Sequence, residues 1–404
     1  MSVSGLEEII RIAAKGDGVT ASGRHVPGTA PGDLVAADGT ITRGPHHIDP
    51  PCRLFGQCGG CELQQVDDTG LADMVKGRVV HAARAQGMEP ARVAPTHLSP
   101  PRSRRRASLR AVNGGGGRAL IGFHAAGSHR VVDLRECHVL APDLFTISGR
   151  LRNYLSKRKG KFSAEIDLTL IDQGVDCTIR NLPVEGLEQT EDLLDFCRDT
   201  ALARLSLDQG FGAETFWEPE PVTVTLGGVA VPFPQGAFLQ ATQDGEDALT
   251  GAVRGWLGDC RAVADLFAGL GTFTFALPPH IPVLAAEAAR DAVLACKAAA
   301  SRHRRPVEAV HRDLFRNPLQ PAELARFDGV VLDPPRAGAR SQVEQLAASG
   351  VAKIAYVSCN PVSWSRDGAL LAAAGYRLAE VRPVGQFRWS THVELASLFL
   401  KDGE

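Results

Sequence analysis

Cys359 lies in the segment AYVSCNPVSW, directly after a short apolar run (Ile354, Ala355, Tyr356, Val357) and just before Asn360-Pro361. A thiol at such a place is either a small buried hydrophobe or a nucleophile that adds, as thiolate, to an electron-poor carbon. Two other segments favour chemistry. VVLDPPRAG ends a strand-like run in Asp333 and follows it with two prolines, which gives a rigid, donor-poor turn because proline fixes its own φ and restricts the residue before it. THVELASLFLK places His392 and Glu394 just before an apolar strand. Of these two, Glu394 is the better proton acceptor, since a carboxylate shielded by its neighbours has its proton affinity raised towards neutrality. His392 reads equally well as a structural residue.

A thiol with a base suits one reaction in particular. A pyrimidine C5 carbon is too weak a nucleophile to attack a methyl sulfonium unaided, but a thiolate adding at C6 turns the ring into an enolate whose C5 is electron-rich. The C5 proton must then leave before the sulfur is expelled, and a base is needed for that. DLFAGLGTFTFAL supplies a turn, Gly269-Leu270-Gly271, where backbone and ligand can approach closely. Such a turn serves nicotinamide and methyl-donor enzymes alike, but the third glycine of the dinucleotide fingerprint is missing, because residue 274 is Thr. Glu287 ends the next strand-like run, PVLAAEA, where a carboxylate can accept the ribose hydroxyls of an adenosine. Asp313, in HRDLF, suits either a loop near the adenine or a simple cap.

The elements around these residues are legible too. From Asp244 onward, helical stretches alternate with the apolar strands RAVADLFAG, PVLAAEA, FDGVVLDPP and KIAYVSC, the texture of a mostly parallel sheet with helices on both faces. Ligands in that architecture bind beyond the carboxyl ends of the strands, where Asp265, Asp333 and Cys359 fall. Residues 5–45 hold short β-prone runs broken by Gly-Asp-Gly and Pro-Gly-Asp, which suits a small barrel. Leu71, Met74, Val75, Val79, Val80 and Ala83 recur at helical spacing between Leu63 and Gly87. Strands are expected at AEIDLTLI, GVDCTIR and VTVTLGGVAV, and a helix at TEDLLDFCRDTALARL.

At 404 residues, 44% apolar and 22% charged, the chain is a globular protein too long for one ordinary core. Its net charge of -2 excludes a general polycation, so any nucleic-acid affinity must come from local patches. PRSRRRASLRA reads as a strand with one basic face, and LRNYLSKRKGKF is a second basic stretch. Met1–Gly18 lacks the order of a signal peptide and no window has the apolar length of a membrane span, so a cytoplasmic location without membrane contact is expected. Nine cysteines do not suggest a disulfide framework. Cys52, Cys58 and Cys61 in CRLFGQCGGCELQQ, with Cys137 in DLRECHVL, form a four-thiol set whose spacing suits zinc and an iron-sulfur cluster alike. Cys177, Cys197, Cys260 and Cys296 fall in strand or helix patterns and read as core residues.

In FLQAT (Phe238, Gln240), DLFAGLGTF, Glu287, LDPPRAG, VSCNP and THVE, taken in that order, the chain resembles the S-adenosylmethionine-dependent RNA uracil-C5 methyltransferases, in particular the iron-sulfur members that modify 23S ribosomal RNA. The resemblance implies an α/β fold with a Rossmann-like class I methyltransferase domain, an N-terminal small β-barrel of TRAM or OB-like type, and a central α+β iron-sulfur domain. The corresponding boundaries are 1–45 for the barrel, 46–63 and 96–219 for the central domain, and 64–95 and 220–404 for the methyltransferase domain. It implies Cys359 as nucleophile and Glu394 as proton acceptor, with Gln240, Phe267, Thr272, Glu287 and Asp333 lining the methyl donor. It also resolves the four-thiol set in favour of a [4Fe-4S] cluster on Cys52, Cys58, Cys61 and Cys137. The implied partner is RNA, 23S ribosomal RNA first and transfer RNA second, with no obligate protein partner. Two departures are visible: Ala268-Gly269 stands where the family usually has Cys-Gly, and Thr272 where it usually has Asn. The rival readings are a non-catalytic iron-sulfur RNA-binding protein and a nicotinamide-dependent redox protein, the latter disfavoured by Thr274.

Overall fold

The computed structural model describes residues 5–114 and 117–401; positions 1–4, 115–116 and 402–404, which fall inside the domains expected from the sequence, lie outside the described residues. The chain divides into two compact units, one of Met1–Met74, Leu98–Glu220 and Phe387–Thr391, the other of Val75–His97, Pro221–Gln386 and His392–Glu404.

In the second unit the apolar runs become strands buried on both faces: Val263–Leu266 and Gly329–Leu332 are buried at every position, Lys353–Ser358 at all but the first. Such strands belong in a sheet covered on both sides. Its main order is Val307–His311, Val283–Glu287, Val263–Leu266, Gly329–Leu332, Lys353–Ser358, Glu394–Lys401, Tyr376–Gly385, Arg92–Val93. Neighbours are parallel as far as Lys353–Ser358, and Glu394–Lys401 enters antiparallel. Helices Arg290–Arg302, Arg340–Ser349 and Pro361–Ala373 lie along the chain between successive strands. Chain order reverses between Val263–Leu266 and Gly329–Leu332, and loops leaving a sheet at such a point diverge to open a crevice. Thr242 caps the helix Gln243–Leu257 by accepting from the Gly245 amide (3.1 Å).

The first unit holds a six-stranded sheet in the order Ala213–Trp217, Arg204–Asp208, Gly174–Arg180, Phe162–Ile171, Arg106–Asn113, Leu120–Gly122. Helices Pro142–Ser156 and Gly186–Asp199 supply Leu144, Leu151, Leu155, Leu193 and Phe196 to the core on this sheet. The helix expected over TEDLLDFCRDTALARL ends at Asp199, because Ala201 takes a left-handed φ of 50° and the chain turns into the strand Arg204–Asp208. Near the amino terminus, five short strands form an open antiparallel sheet in the order His25–Val26, Gly18–Thr20, Leu6–Ile12, Leu34–Ala36, Ile41–Thr42. The small barrel expected there is thus a half-barrel around Ile9, Val26 and Val35, whose edge strands are only two residues long.

Candidate active site

One strand pair brings the principal candidates together. Ser358 pairs with Leu395 in the antiparallel register, so the next step outward sets Cys359 beside Glu394. The turn after Cys359 is held firmly. The Asn360 side chain accepts from the Val362 amide (3.1 Å) as cap of the helix Pro361–Ala373 and donates to the Arg336 carbonyl (2.9 Å). Ser363 Oγ donates to the same carbonyl (3.0 Å), so the Cys359 turn and the Asp333-Pro334-Pro335-Arg336 turn form one frame. Asp367 braces it from below, accepting from the Ala339 amide and the Tyr356 hydroxyl, both at 2.7 Å. Nothing in the sequence singles out Asp367, because a buried acid in a helix is recognisable only once its partners are known.

The electrostatics are those of crowded acids. Glu394 is 5% exposed, and burial pushes its carboxyl up to about 7 against a hydrogen bond from Gln386 that favours the charged form. Asp333 is raised well above the usual carboxylate range, by burial first and then by the charges of Glu394, Asp265 and Glu287. Asp265 is fully buried and raised by burial to about 6; Thr274 Oγ1 donates to its Oδ2 (2.5 Å), while its Oδ1 has no protein partner. The Cys359 thiol is raised by burial, then by Glu394 and Asp333, with Arg336 opposing.

The glycine turn is built on unusual backbone. Phe267, Gly269 and Gly271 have φ of 64°, 56° and 93°, and a Cβ on Gly271 would lie 2.7 Å from the Phe275 ring. Glu287 clamps the turn: Oε2 accepts from the Gly269 amide (3.0 Å) and Oε1 from the Ala289 amide (2.7 Å), which leaves lone pairs on both oxygens. The Phe267 ring meets Phe315 at 5.3 Å, an aromatic neighbour that the sequence reading did not single out. Asp313 accepts from the amides of Phe315 (3.0 Å) and Arg316 (3.3 Å), so its hydrogen bonds are those of a turn cap. Thr272 is half-buried at the first position of the short helix Thr272–Ala276. Gln240 is buried and its Oε1 accepts from Gln386 Nε2 (2.8 Å), which links it through Gln386 to Glu394. Phe238 and His392 are exposed.

In the other unit, Cys52, Cys58, Cys61 and Cys137 line one cavity together with Phe55, Phe123 and Arg104. Burial raises the thiols of Cys58 and Cys137, and that of Cys61 to about 12. The two glycines of the motif are required by space, since a Cβ on Gly59 would lie 2.9 Å from the His124 carbonyl and one on Gly60 3.3 Å from Phe123. Arg104 stacks on Phe387 with its charge 5.3 Å from the ring centroid. Among the described residues, no group of three or more His, Cys, Asp or Glu is disposed to hold a metal ion. Cys177, Cys197, Cys260 and Cys296 are buried.

The strand expected over 101–111 alternates as read, with Arg106 and Arg110 on its less buried face, but that face is partly neutralised. Arg105 is buried, Arg104 serves the cysteine cavity, and Arg110 pairs with Glu165 (2.7 Å), because the neighbouring strand Phe162–Ile171 carries acids at the matching positions. Arg102 remains exposed. Among the described residues, no helix is long and apolar enough to cross a membrane.

A family model described as tRNA (Uracil-5-)-methyltransferase matches residues 234–402. A protein of Zymomonas mobilis described as an uncharacterized RNA methyltransferase is 47% identical over 397 residues, 98% of this chain and 100% of that one. The 23S rRNA (uracil(1939)-C(5))-methyltransferase of Pectobacterium atrosepticum is 29% identical over 371 residues, 90% of this chain and 82% of that one. Among solved structures, the Pyrococcus abyssi tRNA (uracil-54, C5)-methyltransferase in complex with S-adenosyl-L-homocysteine has the same fold, with a TM-score of 0.76 at 22% identity over 99% of this chain and 100% of that one.

Proposed function

The chain belongs to the RNA uracil-C5 methyltransferase family, and we propose that it methylates C5 of a uridine in 23S ribosomal RNA, with Cys359 as nucleophile and Glu394 as the base that removes the C5 proton. The observation that carries this reading is the register that sets a thiol beside a buried carboxyl at the open end of the sheet. In the proposed sequence the Cys359 sulfur adds to C6, and the electron pair of the C5–C6 double bond moves towards the C4 carbonyl as an enolate. S-adenosylmethionine, when bound, supplies the methyl sulfonium that C5 attacks. Glu394 then takes the C5 proton, the double bond reforms and the thiolate leaves. A carboxyl near 7 is matched to that task, because it is basic enough to accept a proton and is still partly ionised at neutral pH.

Gln240, Phe267, Thr272, Glu287 and Asp333 are the proposed methyl-donor contacts. The free lone pairs of Glu287 suit ribose hydroxyls, and the acids around Asp333 suit a cation. We extend the reading to a [4Fe-4S] cluster on Cys52, Cys58, Cys61 and Cys137: four thiols ringing one cavity, with a glycine pair packed where side chains would intrude, suit a polynuclear cluster. It would supply a cross-link between two distant stretches of chain, and methyl transfer needs no electron from it.

Ribosomal RNA is preferred because the Pectobacterium relative that acts on it matches 90% of this chain. Transfer RNA is the second reading, favoured by the description of the matching family model. Mapping 5-methyluridine in ribosomal and transfer RNA from cells with and without the protein decides between them. Loss of one 23S position is the expected result, and an unchanged pattern in both RNAs overturns the assignment.

A further inference from the structure

Gln386 is 2% exposed and belongs to none of the motifs read from the sequence, yet it touches both halves of the site. Its Oε1 accepts from the Ala241 amide (3.0 Å). An amide N–H only donates, so this bond fixes the orientation of the side chain: the oxygen faces Ala241, and the NH2 group, with two protons, faces the other way. Nε2 donates to Gln240 Oε1 (2.8 Å), and the same side chain hydrogen-bonds Glu394. Space for it, and for the capping Thr242 hydroxyl, is left by a glycine, since a Cβ on Gly245 would lie 2.7 Å from Thr242 Oγ1, 2.8 Å from Gln386 Cβ and 3.0 Å from its Oε1. A glycine in the first turn of a helix is unfavourable in itself, which makes its placement against this side chain notable.

We propose that Gln386 is the positioning residue of the reaction, holding the Glu394 carboxylate towards the C5 proton and tying it to the donor-side residue Gln240 through one locked amide. The proposal rests on the reading of Glu394 as the base. The titratable groups that interact with Glu394 are Cys359 and Asp333; Asp265 and Glu287 act on Asp333 in turn, and Arg336 on Cys359. Glu394 itself is raised by burial, and Gln386 is the group that opposes it by favouring the charged form. On the helix packed against Gln386, Asp244 is paired with His97 (2.7 Å) and Glu246 accepts from Gln243 (3.3 Å). Without the Gln386 donor, Glu394 should hold its proton to higher pH.

The test follows release of tritium from total RNA labelled with [5-3H]uridine, prepared from cells lacking the protein, as a function of pH. Wild type, Gln386→Leu, Gly245→Ala and Glu394→Gln are compared at saturating S-adenosylmethionine. Gln386→Leu should move the rising limb of the profile up by about one pH unit, slow release at pH 7 roughly fivefold and recover near wild-type rates by pH 9. Gly245→Ala, which crowds Gln386 without removing it, should move the limb the same way by less, and it keeps the question open to measurement should the leucine variant not fold. Equal profiles, or a loss of rate that is uniform across pH in both variants, overturn the proposal. Glu394→Gln separates the two levels: if it releases tritium with the wild-type profile, the base assignment itself has failed. If it blocks release while both other variants keep the wild-type limb, only the role of Gln386 has failed.

Discussion

Replacing Glu394 with Gln should make this protein more stable and less active at once. Burial raises the Glu394 carboxyl from its ordinary 4.5 to about 7. A carboxyl whose folded-state proton affinity exceeds its unfolded one contributes stability that is complete below about pH 4.5 and is lost as pH rises through about 7. At pH 8 the ionised, buried carboxylate therefore destabilises the fold by about 3 kcal/mol relative to its protonated form. Glutamine has the same shape, carries no charge at any pH, and still offers Gln386 an oxygen to donate to. The variant should gain about 3 kcal/mol at pH 8 and almost nothing at pH 4, which for a unit of roughly 200 residues is a rise of about 6–12 °C in its thermal midpoint at the higher pH. Turnover should fall by about 10²- to 10⁴-fold, the usual contribution of a general base, while the protein–RNA adduct accumulates and is seen as a retarded band on a denaturing gel. A variant no more stable than wild type at pH 8, or a gain equal at pH 8 and pH 4, would refute the burial argument. Retained turnover would refute the catalytic one.

The remaining expectations concern the rest of the site and the cysteine cavity. Cys359→Ala should lower methyl transfer to RNA by on the order of 10⁴-fold or more and abolish the gel-stable adduct, since no other group takes over the addition to C6. Gly271→Ala, at a φ of 93° and with the Phe275 ring 2.7 Å from the added carbon, should cost about 2 kcal/mol or more in urea unfolding and weaken binding of S-adenosylhomocysteine in a filter assay. Binding of S-adenosylmethionine at pH 6 should release protons as its positive sulfur lowers the raised carboxyls of Asp333 and Asp265; S-adenosylhomocysteine, whose sulfur is neutral, should release fewer, as measured by calorimetry in buffers of different ionisation enthalpy. Anaerobically purified protein should be brown with about four irons per chain, and Cys61→Ser should lose most of that iron in a colorimetric assay.

The parts legible in the sequence were those written in local pattern. The runs VADL, GVVL and KIAYVS state their own burial, and alternation with helices gives the parallel sheet and the ends where Asp265, Asp333 and Cys359 stand. Gly269 and Gly271 were readable because only glycine accepts such backbone readily, whereas Phe267 at φ 64° carried no signal. What stayed hidden depends on pairings between distant segments. The face of the strand over 101–111 alternates as read, but its partial neutralisation could not be foreseen, because Glu165 and Asp167, opposite Arg110 and Ser108, come from a distant segment. Gln386 lies 146 residues from Gln240, and a glutamine in a loop has no property of its own that predicts a shared hydrogen bond.

The same geometry explains why the acids gather where they do. A parallel sheet exposes its carboxyl ends at one edge, and the antiparallel strand Glu394–Lys401 adds its own first residue to that edge, so Glu287, Asp265, Asp333 and Glu394 converge because of topology. Taken alone the arrangement is unfavourable: burial raises both Asp333 and the Cys359 thiol, and the charge of Glu394 raises them further, with Asp265 and Glu287 adding to Asp333 and Asp333 adding to Cys359. Arg336 opposes them at that thiol. A sulfonium seated among these carboxylates changes the sign of the local field, stabilises Asp333 as an anion and removes part of the repulsion on Cys359. The thiol would therefore become a nucleophile chiefly when the methyl donor is present, and uridine would be attacked only by a protein ready to complete the transfer. The instability that Glu394→Gln should relieve comes from burial of that carboxylate, and the same substitution would also remove one of the charges that raise the Cys359 thiol.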